Sequence, residues 1–146
     1  MLDDTFFMKE ALKQAAKAYE AGEVPVGAVV VWDNKIIGRG YNQVEQLCDA
    51  TAHAEVIAIT AACNTIGAKY LMEASLYVTV EPCLMCSGAM YWSKVGRIVY
   101  GTPDVKNGYR KHVGDNFPFH PRASISWGVL EQECAQLMKD FFAARR

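Results

Sequence analysis

The sequence predicts an α/β fold in which helices pack on the faces of a mixed five-stranded sheet. Segments with apolar residues at helical spacing alternate along the chain with short apolar segments typical of strands. The pair Asp33-Asn34 separates the first two strand segments and indicates a hairpin. The length of 146 residues is sufficient for one domain with its own core. We therefore expect residues 1–146 to form a single domain.

The chain begins with a predicted helix and the hairpin. Residues 4 to 20 carry apolar side chains at helical spacing, Asp4 is a suitable N-terminal cap, and Gly22 is a suitable stop. The two hairpin strands are expected over residues 26–32 and 35–41.

A polar loop over residues 42–51 precedes the second predicted helix. Thr51 is a suitable cap for this helix, which is expected to end near Ile66 because Gly67 follows. A third strand is predicted over residues 76–80.

Pro82 is expected in the first turn of a third helix that continues to Trp92. The remaining expected elements are a strand over residues 97–100, an irregular segment over 102–122, a strand over 123–127 and an amphipathic helix over 130–141. Crossovers through the second and third helices predict parallel pairing of adjacent strands. Both helices start just after a strand ends, so their N-termini are expected at the same edge of the sheet, where α/β proteins bind ligands.

Three residues at the starts of these two helices form a candidate metal site. Cys83 and Cys86 are three residues apart, which places both thiols on one face of a helical turn. His53 adds a ligand from the neighbouring helix, and three protein ligands with one open position are typical of catalytic zinc. A redox pair and half of a structural zinc site are the alternatives for an isolated Cys-x-x-Cys motif. We expect one zinc ion per chain, with water as its fourth ligand.

Glu55 follows His53 by two residues and is the candidate proton carrier. At a helix start that faces a metal, His53 can bind the ion while the carboxylate reaches the bound water. Glu55 is therefore expected to move protons without binding the metal.

Composition excludes several classes of protein. Apolar residues make up 51% of the chain and charged residues 21%, which is typical of a globular domain and excludes disorder. Fifteen Lys and Arg against sixteen Asp and Glu give a net charge of −1, which excludes a uniformly basic nucleic-acid coat. The longest apolar run, residues 24–32, is too short to span a membrane. The absence of a visible secretory signal and the five cysteines without a disulfide framework predict a cytoplasmic protein.

The His-x-Glu and Pro-Cys-x-x-Cys motifs resemble the signature of the cytidine/purine deaminase superfamily, and the wider sequence resembles its bacterial tRNA-specific adenosine deaminase branch. The resemblance covers nearly the whole chain. The matching segments are Gly22–Ala28, Gly40–Asn42, Thr51–Glu55, Leu76–Cys83, Met85–Ala89 and Asp140–Phe142.

The resemblance implies a three-layer α/β/α fold, a homodimer, and conversion of adenosine to inosine at the wobble position of a tRNA anticodon loop. It assigns zinc binding to His53, Cys83 and Cys86 and the proton shuttle to Glu55. Substrate contacts are implied for Asn42, the Ala54 backbone amide, Asp104 and Lys106. The pair Tyr91-Trp92 instead resembles the guanine deaminase branch, in which the Trp lines the base pocket.

Two other functions stay open on the sequence alone: a deaminase of free guanine or cytosine, and a non-catalytic zinc-stabilised RNA-binding subunit. The presence of Glu55 argues against the second. Basic residues outnumber acidic ones in residues 104–122 and again in residues 139–146. These two segments favour contacts with RNA phosphates, which would make binding salt-dependent. The basic residues in question are Lys106, Arg110, Lys111, Arg122, Lys139, Arg145 and Arg146. The roles of residues 109–122 as a whole are not assigned, because this segment departs from the pattern of the family.

Overall fold

Five strands form one mixed sheet within residues 1–145, the part of the chain that the computed structural model describes. The strands are β1 (Gly27–Trp32), β2 (Lys35–Tyr41), β3 (Ser75–Val80), β4 (Arg97–Thr102) and β5 (Ser124–Trp127). The helices in the same residues are α1 (Asp4–Glu20), α2 (Ala54–Ile66), α3 (Leu84–Ser93), α4 (Tyr109–Val113) and α5 (Glu131–Ala143). The predicted order of elements is confirmed, except that α4 lies in the segment expected to be irregular.

The strand order is β2-β1-β3-β4-β5, and it corrects the predicted pairing in one place. The crossover through α3 joins β3 to its parallel neighbour β4, as predicted. The crossover through α2 joins β2 and β3, but β1 lies between these strands and is antiparallel to both. The reason is burial: β1 is apolar on both faces and suits the interior of the sheet, whereas β2 carries Lys35 and Arg39 and suits an edge.

Helices cover both faces of the sheet, so the expected three-layer α/β/α fold is confirmed. On one face, Met8 and Ala11 of α1 and Cys134 of α5 pack against β1, β3 and β4. On the other face, Ala58 of α2 and Met90 of α3 form the larger core cluster. Within residues 1–145, no helix has both the length and the apolar character needed to cross a membrane.

The cap of α1 is Asp3 rather than the predicted Asp4. The Asp3 carboxylate accepts a hydrogen bond from the Phe6 amide at 2.9 Å. Asp4 instead faces the sheet, where it accepts two hydrogen bonds from Arg97 at 2.6 and 2.7 Å and one from the Tyr77 hydroxyl at 2.6 Å. The ion pair with Arg97, which is distant in sequence, thus determines which of two adjacent carboxylates caps α1.

The starts of α2 and α3 also differ from the prediction. The N-cap of α2 is His53, while Thr51 donates its hydroxyl to Asp49 in the preceding loop. Pro82 precedes α3 rather than lying in its first turn, and Cys83 is the N-cap. The end of α2 is as predicted, because Gly67 adopts a left-handed conformation with φ of 65°.

Candidate active site

The N-termini of α2 and α3 meet at one edge of the sheet, as predicted, and bring together the three candidate metal ligands. His53 and Cys83 are the N-caps of these helices, and Cys86 lies in the first turn of α3. The Nδ1 atom of His53 lies 3.6 Å from the sulfur of Cys83 and 3.5 Å from the sulfur of Cys86. All three ligand atoms lie within 4.8 Å of one another, a grouping that no other His, Cys or acidic residues form within residues 1–145.

These distances fit a tetrahedral zinc ion. With Zn–N bonds of about 2.05 Å and Zn–S bonds of about 2.3 Å, a tetrahedral angle places nitrogen and sulfur about 3.6 Å apart. The observed separations agree with this value. Two thiols and one imidazole can therefore bind one zinc ion and leave a fourth position open, as in catalytic zinc sites.

The local electrostatics favour a thiolate at Cys83. A hydrogen bond from the Cys86 thiol, together with His53 and the Cys86 backbone amide, lowers the pKa of Cys83 to about 4. The hydrogen bond to Cys83 and burial raise the pKa of Cys86, and the same hydrogen-bonded cluster raises the pKa of His53. The positive ends of the α2 and α3 dipoles also stabilise negative charge here. Metal binding would displace the protons that remain, since zinc binds thiolate and neutral imidazole.

Glu55 lies in the first turn of α2 and lines the same cavity as His53 and Cys83. Only 4% of its surface is exposed, and burial raises the pKa of its carboxyl group to about 7. A carboxyl group with a pKa near neutrality can both accept and release a proton at physiological pH.

The cavity has a volume of about 880 Å³. Its floor is the candidate metal site, and its walls come from the loops after β2 and β4 and from the C-terminal part of α5. Asn42, Asp104 and Lys106, which were expected to contact substrate, all lie in these walls. Arg145 lies in the wall formed after α5, whereas the predicted basic residue Arg146 lies outside the described residues.

Asn42 and Ala54 contact each other, which the sequence analysis did not anticipate. The Oδ1 atom of Asn42 accepts a hydrogen bond from the Ala54 amide at 2.9 Å, and its Nδ2 atom donates to the Val24 carbonyl at 3.1 Å. The Ala54 amide, expected to contact the base, is thus bound within the chain. Asn42 therefore supports the start of α2 in addition to lining the cavity.

Trp92 does not lie in the cavity of its own chain, contrary to the expectation for a base-pocket residue. It is 76% exposed in the last turn of α3. The buried face of α3 includes Cys86 and Met90, and Trp92 points away from that face. Its neighbour Tyr91 packs edge-on against it, with ring centroids 5.5 Å apart.

Arg110 is paired with a buried carboxylate, which the sequence analysis did not anticipate. Its Nη2 atom donates to the Oε1 atom of Glu81 at 3.1 Å. Its guanidinium also lies 5.6 Å from the ring centre of Trp127. Arg110 and Lys111 are both exposed, and the Arg110 guanidinium keeps N–H donors that Glu81 does not bind.

Sequence reasoning missed two buried carboxylates beside the cavity. Glu23 accepts hydrogen bonds from the backbone amides of Glu45 and Gln46 at 3.0 and 2.8 Å. Glu81 holds the loop after β4 in a similar way. The available signal was position: Glu81 lies between an apolar strand and Pro82, where a solvated acidic residue is unusual.

Comparison with known proteins identifies relatives of the whole chain. Residues 1–102 match the family model of the cytidine and deoxycytidylate deaminase zinc-binding region. The chain is 42% identical over 149 residues to the tRNA-specific adenosine deaminase of Bacillus subtilis, an alignment that covers 100% of this chain and 92% of that protein. It is 45% identical over 161 residues to the chloroplastic tRNA(adenine(34)) deaminase of Arabidopsis thaliana, covering 97% of this chain and 12% of that protein. A solved structure from a study of A-to-I editing by tRNA:A34 deaminases is similar with a TM-score of 0.84 at 39% identity, covering 91% of this chain and 99% of that chain.

Proposed function

This chain belongs to the cytidine and deoxycytidylate deaminase family, and on that premise we propose that it deaminates adenosine to inosine at the wobble position of tRNA. The observation that carries the proposal is the group of His53, Cys83 and Cys86 with the buried carboxyl group of Glu55 beside it. This group lies in a chain that is 42% identical along its full length to a tRNA-specific adenosine deaminase. Residues 1–146 then act as one zinc-dependent deaminase domain.

His53, Cys83 and Cys86 would hold the zinc ion, which as a Lewis acid would lower the pKa of water toward roughly 7. Glu55 takes a proton from the attacking water as a C–O bond forms at C6 of adenine. It then returns a proton to the ring nitrogen and assists departure of the amino group as ammonia, when the C–N bond breaks. A pKa of about 7 suits Glu55 for both transfers.

The cavity accepts a base only when that base is out of a helical stack, so an anticodon loop is a less costly substrate than a duplex. Asn42 and Asp104 contact the nucleotide from the cavity wall, and the buried Ala54 amide acts indirectly, by holding Asn42 through their hydrogen bond. Lys106 and Arg145, the basic residues of the cavity wall, contact phosphates at its mouth.

We further propose that the protein is a cytoplasmic homodimer. The thiols of Cys83 and Cys86 must stay reduced to bind zinc, which favours a reducing compartment. Exposed apolar side chains form two pairs seven residues apart on one side of α3, a spacing that aligns them along the helix. The four residues are Leu84, Met85, Tyr91 and Trp92. A second copy of the chain would cover this surface.

Sedimentation velocity tests the assembly. We expect the wild-type protein to sediment as a dimer and Trp92→Asp to sediment as a monomer. A monomeric wild type, or a Trp92→Asp variant that stays fully dimeric, would contradict this interface.

The activity is tested by incubating the zinc-loaded protein with an RNA stem-loop that carries adenosine at the wobble position and, separately, with free guanine, cytosine and adenosine. We expect mass spectrometry to detect inosine in the RNA and no turnover of guanine or cytosine. Turnover of a free base without inosine formation would instead establish the free-base alternative. Absence of any product together with RNA binding would establish the non-catalytic RNA-binding alternative.

Salt dependence provides a second test of RNA recognition. Each phosphate contact to a single strand contributes about −0.7 to the slope of log affinity against log salt. We expect Lys106→Ala to make this slope less steep by about 0.7, the contribution of one phosphate contact. Arg110→Ala is not a clean test, because it would also remove the ion pair with the buried Glu81 carboxylate. A free-base deaminase would show little response to salt.

A further inference from the structure

The loop after β4 carries three of the cavity residues, Asp104, Lys106 and Asn107. This loop lines the same cavity as the proposed catalytic carboxylate and has little apolar anchorage, since Val105 is exposed. Its conformation therefore depends on hydrogen bonds. Asp104 supplies some of them locally, because its Oδ1 atom accepts from the amides of Lys106 and Asn107 at 3.1 and 3.0 Å.

The fixed partner of this loop is Glu81. Its side chain is 1% exposed, and all the groups that it contacts by hydrogen bonds belong to the two ends of the loop. The Oε1 atom accepts from the Asp104 amide at 3.0 Å, and the Oε2 atom accepts from the Arg110 amide at 3.1 Å. The Arg110 guanidinium adds a charge-assisted bond to Oε1. One carboxylate thus binds the first and last residues of the 104–110 segment.

The surroundings pack closely around the carboxylate. A Cβ atom on Gly108 would collide with the Oε2 atom of Glu81, so the backbone approaches the carboxylate as closely as only glycine permits. Trp127 and Tyr100 stack with their planes 8° apart and face the Arg110 guanidinium, which restrains that partner as well. The backbone of Tyr109 donates to the Pro82 carbonyl at 2.9 Å and ties the segment to the start of the zinc motif.

We propose that Glu81 is a positioning residue: by binding both ends of the 104–110 segment it places Asp104, Lys106 and Asn107 for contact with the RNA substrate. The inference rests on the proposed function for the identity of that substrate. The Glu81 carboxylate is bonded to the two ends of the segment, so we expect its loss to change KM rather than kcat. Because Glu81 orders the segment in the free protein, RNA binding does not include the entropy cost of ordering it. Without Glu81 that cost would be added at binding and would weaken the affinity.

The test is Glu81→Gln in the zinc-loaded protein. Glutamine has the same size, but its amide nitrogen cannot accept a hydrogen bond and would face an N–H donor. We expect KM for the wobble-adenosine stem-loop to rise roughly tenfold, which corresponds to the loss of one hydrogen bond to a charged acceptor. We expect kcat to stay within about threefold of wild type and zinc content to stay at one ion per chain. Hydrogen exchange at the amides of the 104–110 segment should become faster.

Gly108→Ala is a second variant, because its added Cβ atom would collide with the Glu81 carboxylate and with the Asp104 carbonyl, so that the carboxylate and the segment that it binds could not keep their present contact. It should raise KM and accelerate exchange in the same segment. Asp4→Asn is the matched control, since Asp4 forms a comparable pair with Arg97 at the opposite edge of the sheet. It should lower stability and leave KM and kcat at wild-type values.

The outcomes separate this inference from the proposed function. Wild-type KM in both Glu81→Gln and Gly108→Ala would overturn the positioning role, as would unchanged exchange in the 104–110 segment. A fall in zinc content and kcat without a change in KM would also overturn it, because Glu81 would then act through Cys83. A wild-type protein without activity on the stem-loop would refute the proposed function, and the exchange measurement would still decide whether Glu81 orders the segment.

Discussion

Asn42→Ala tests whether Asn42 stabilises the start of α2 in addition to contacting the substrate. In the structure, Asn42 joins the first residue of α2 to the Val24 carbonyl. The His53 side chain provides no capping hydrogen bond, so Asn42 supplies the partner that the first amide of the helix lacks. Its loss would loosen the helix start that carries both His53 and Glu55.

The expected magnitude follows from the two hydrogen bonds. Ala54 is fully buried, and a buried amide left without a partner costs about 1–3 kcal/mol. The lost bond to the Val24 carbonyl adds about 1 kcal/mol. We therefore expect the free energy of unfolding to fall by about 2–4 kcal/mol. For a domain of this length, a change of that size lowers Tm by about 6–12 °C.

Thermal unfolding of the zinc-loaded protein, followed by circular dichroism, measures this effect. Asn42→Asp is the matched variant, because it keeps an acceptor for the Ala54 amide and places a negative charge at the positive end of the α2 dipole. It should lose less than half as much stability as Asn42→Ala. A wild-type Tm in Asn42→Ala, with KM raised, would refute the helix-supporting role and leave Asn42 as a substrate contact alone.

Three further outcomes are expected. Glu55→Gln should lower turnover by about 10²–10⁴-fold and keep one zinc ion per chain, whereas parallel loss of zinc would make Glu55 a ligand. Cys86→Ala should lose most of its zinc by elemental analysis, while the exposed thiol variant Cys48→Ala should keep it; equal contents would contradict the ligand assignment. The hydrogen bond from Arg97 lowers the pKa of Asp4 from 3.8 to about 2, so the stability that this pair contributes is present above pH 4 and is lost as the pH falls through 2. The pair is partly exposed, so Asp4→Asn should lower the free energy of unfolding in urea by only about 1 kcal/mol at pH 6, and the difference from wild type should shrink between pH 4 and pH 2; a constant difference would contradict the assignment.

Features that depend on local backbone chemistry were predictable from the sequence. The pair Asp33-Asn34 adopts positive φ angles of 53° and 59°, as a two-residue hairpin turn requires. Gly67 ends α2 in the expected left-handed conformation. The choice between Asp3 and Asp4 as a cap was not predictable, because it depends on Arg97, which is 93 residues away in the chain.

The candidate metal site was also predictable, because its signal is short-range. Cys83 and Cys86 are separated by one helical turn, and only the meeting of α2 with α3 had to be inferred from topology. The sheet order was less accessible. A strand that is apolar on both faces is expected inside a sheet, but the sequence alone does not say which neighbour it takes, and β1 separates two strands that were expected to pair.

Single charged residues are the hardest to interpret from sequence, because their partners in the fold are not visible there. Those partners determine which basic residues are available to bind RNA phosphates. Glu81 and Arg110 lie 29 residues apart, and nothing local indicates that they form a pair. Counted from sequence, Arg110 adds to a basic rim; in the fold, the buried carboxylate of Glu81 neutralises it. Lys106 lines the cavity and lies on the segment that Glu81 holds. A buried acidic residue thus offsets the charge of one cation near the cavity and, by ordering the loop, positions another.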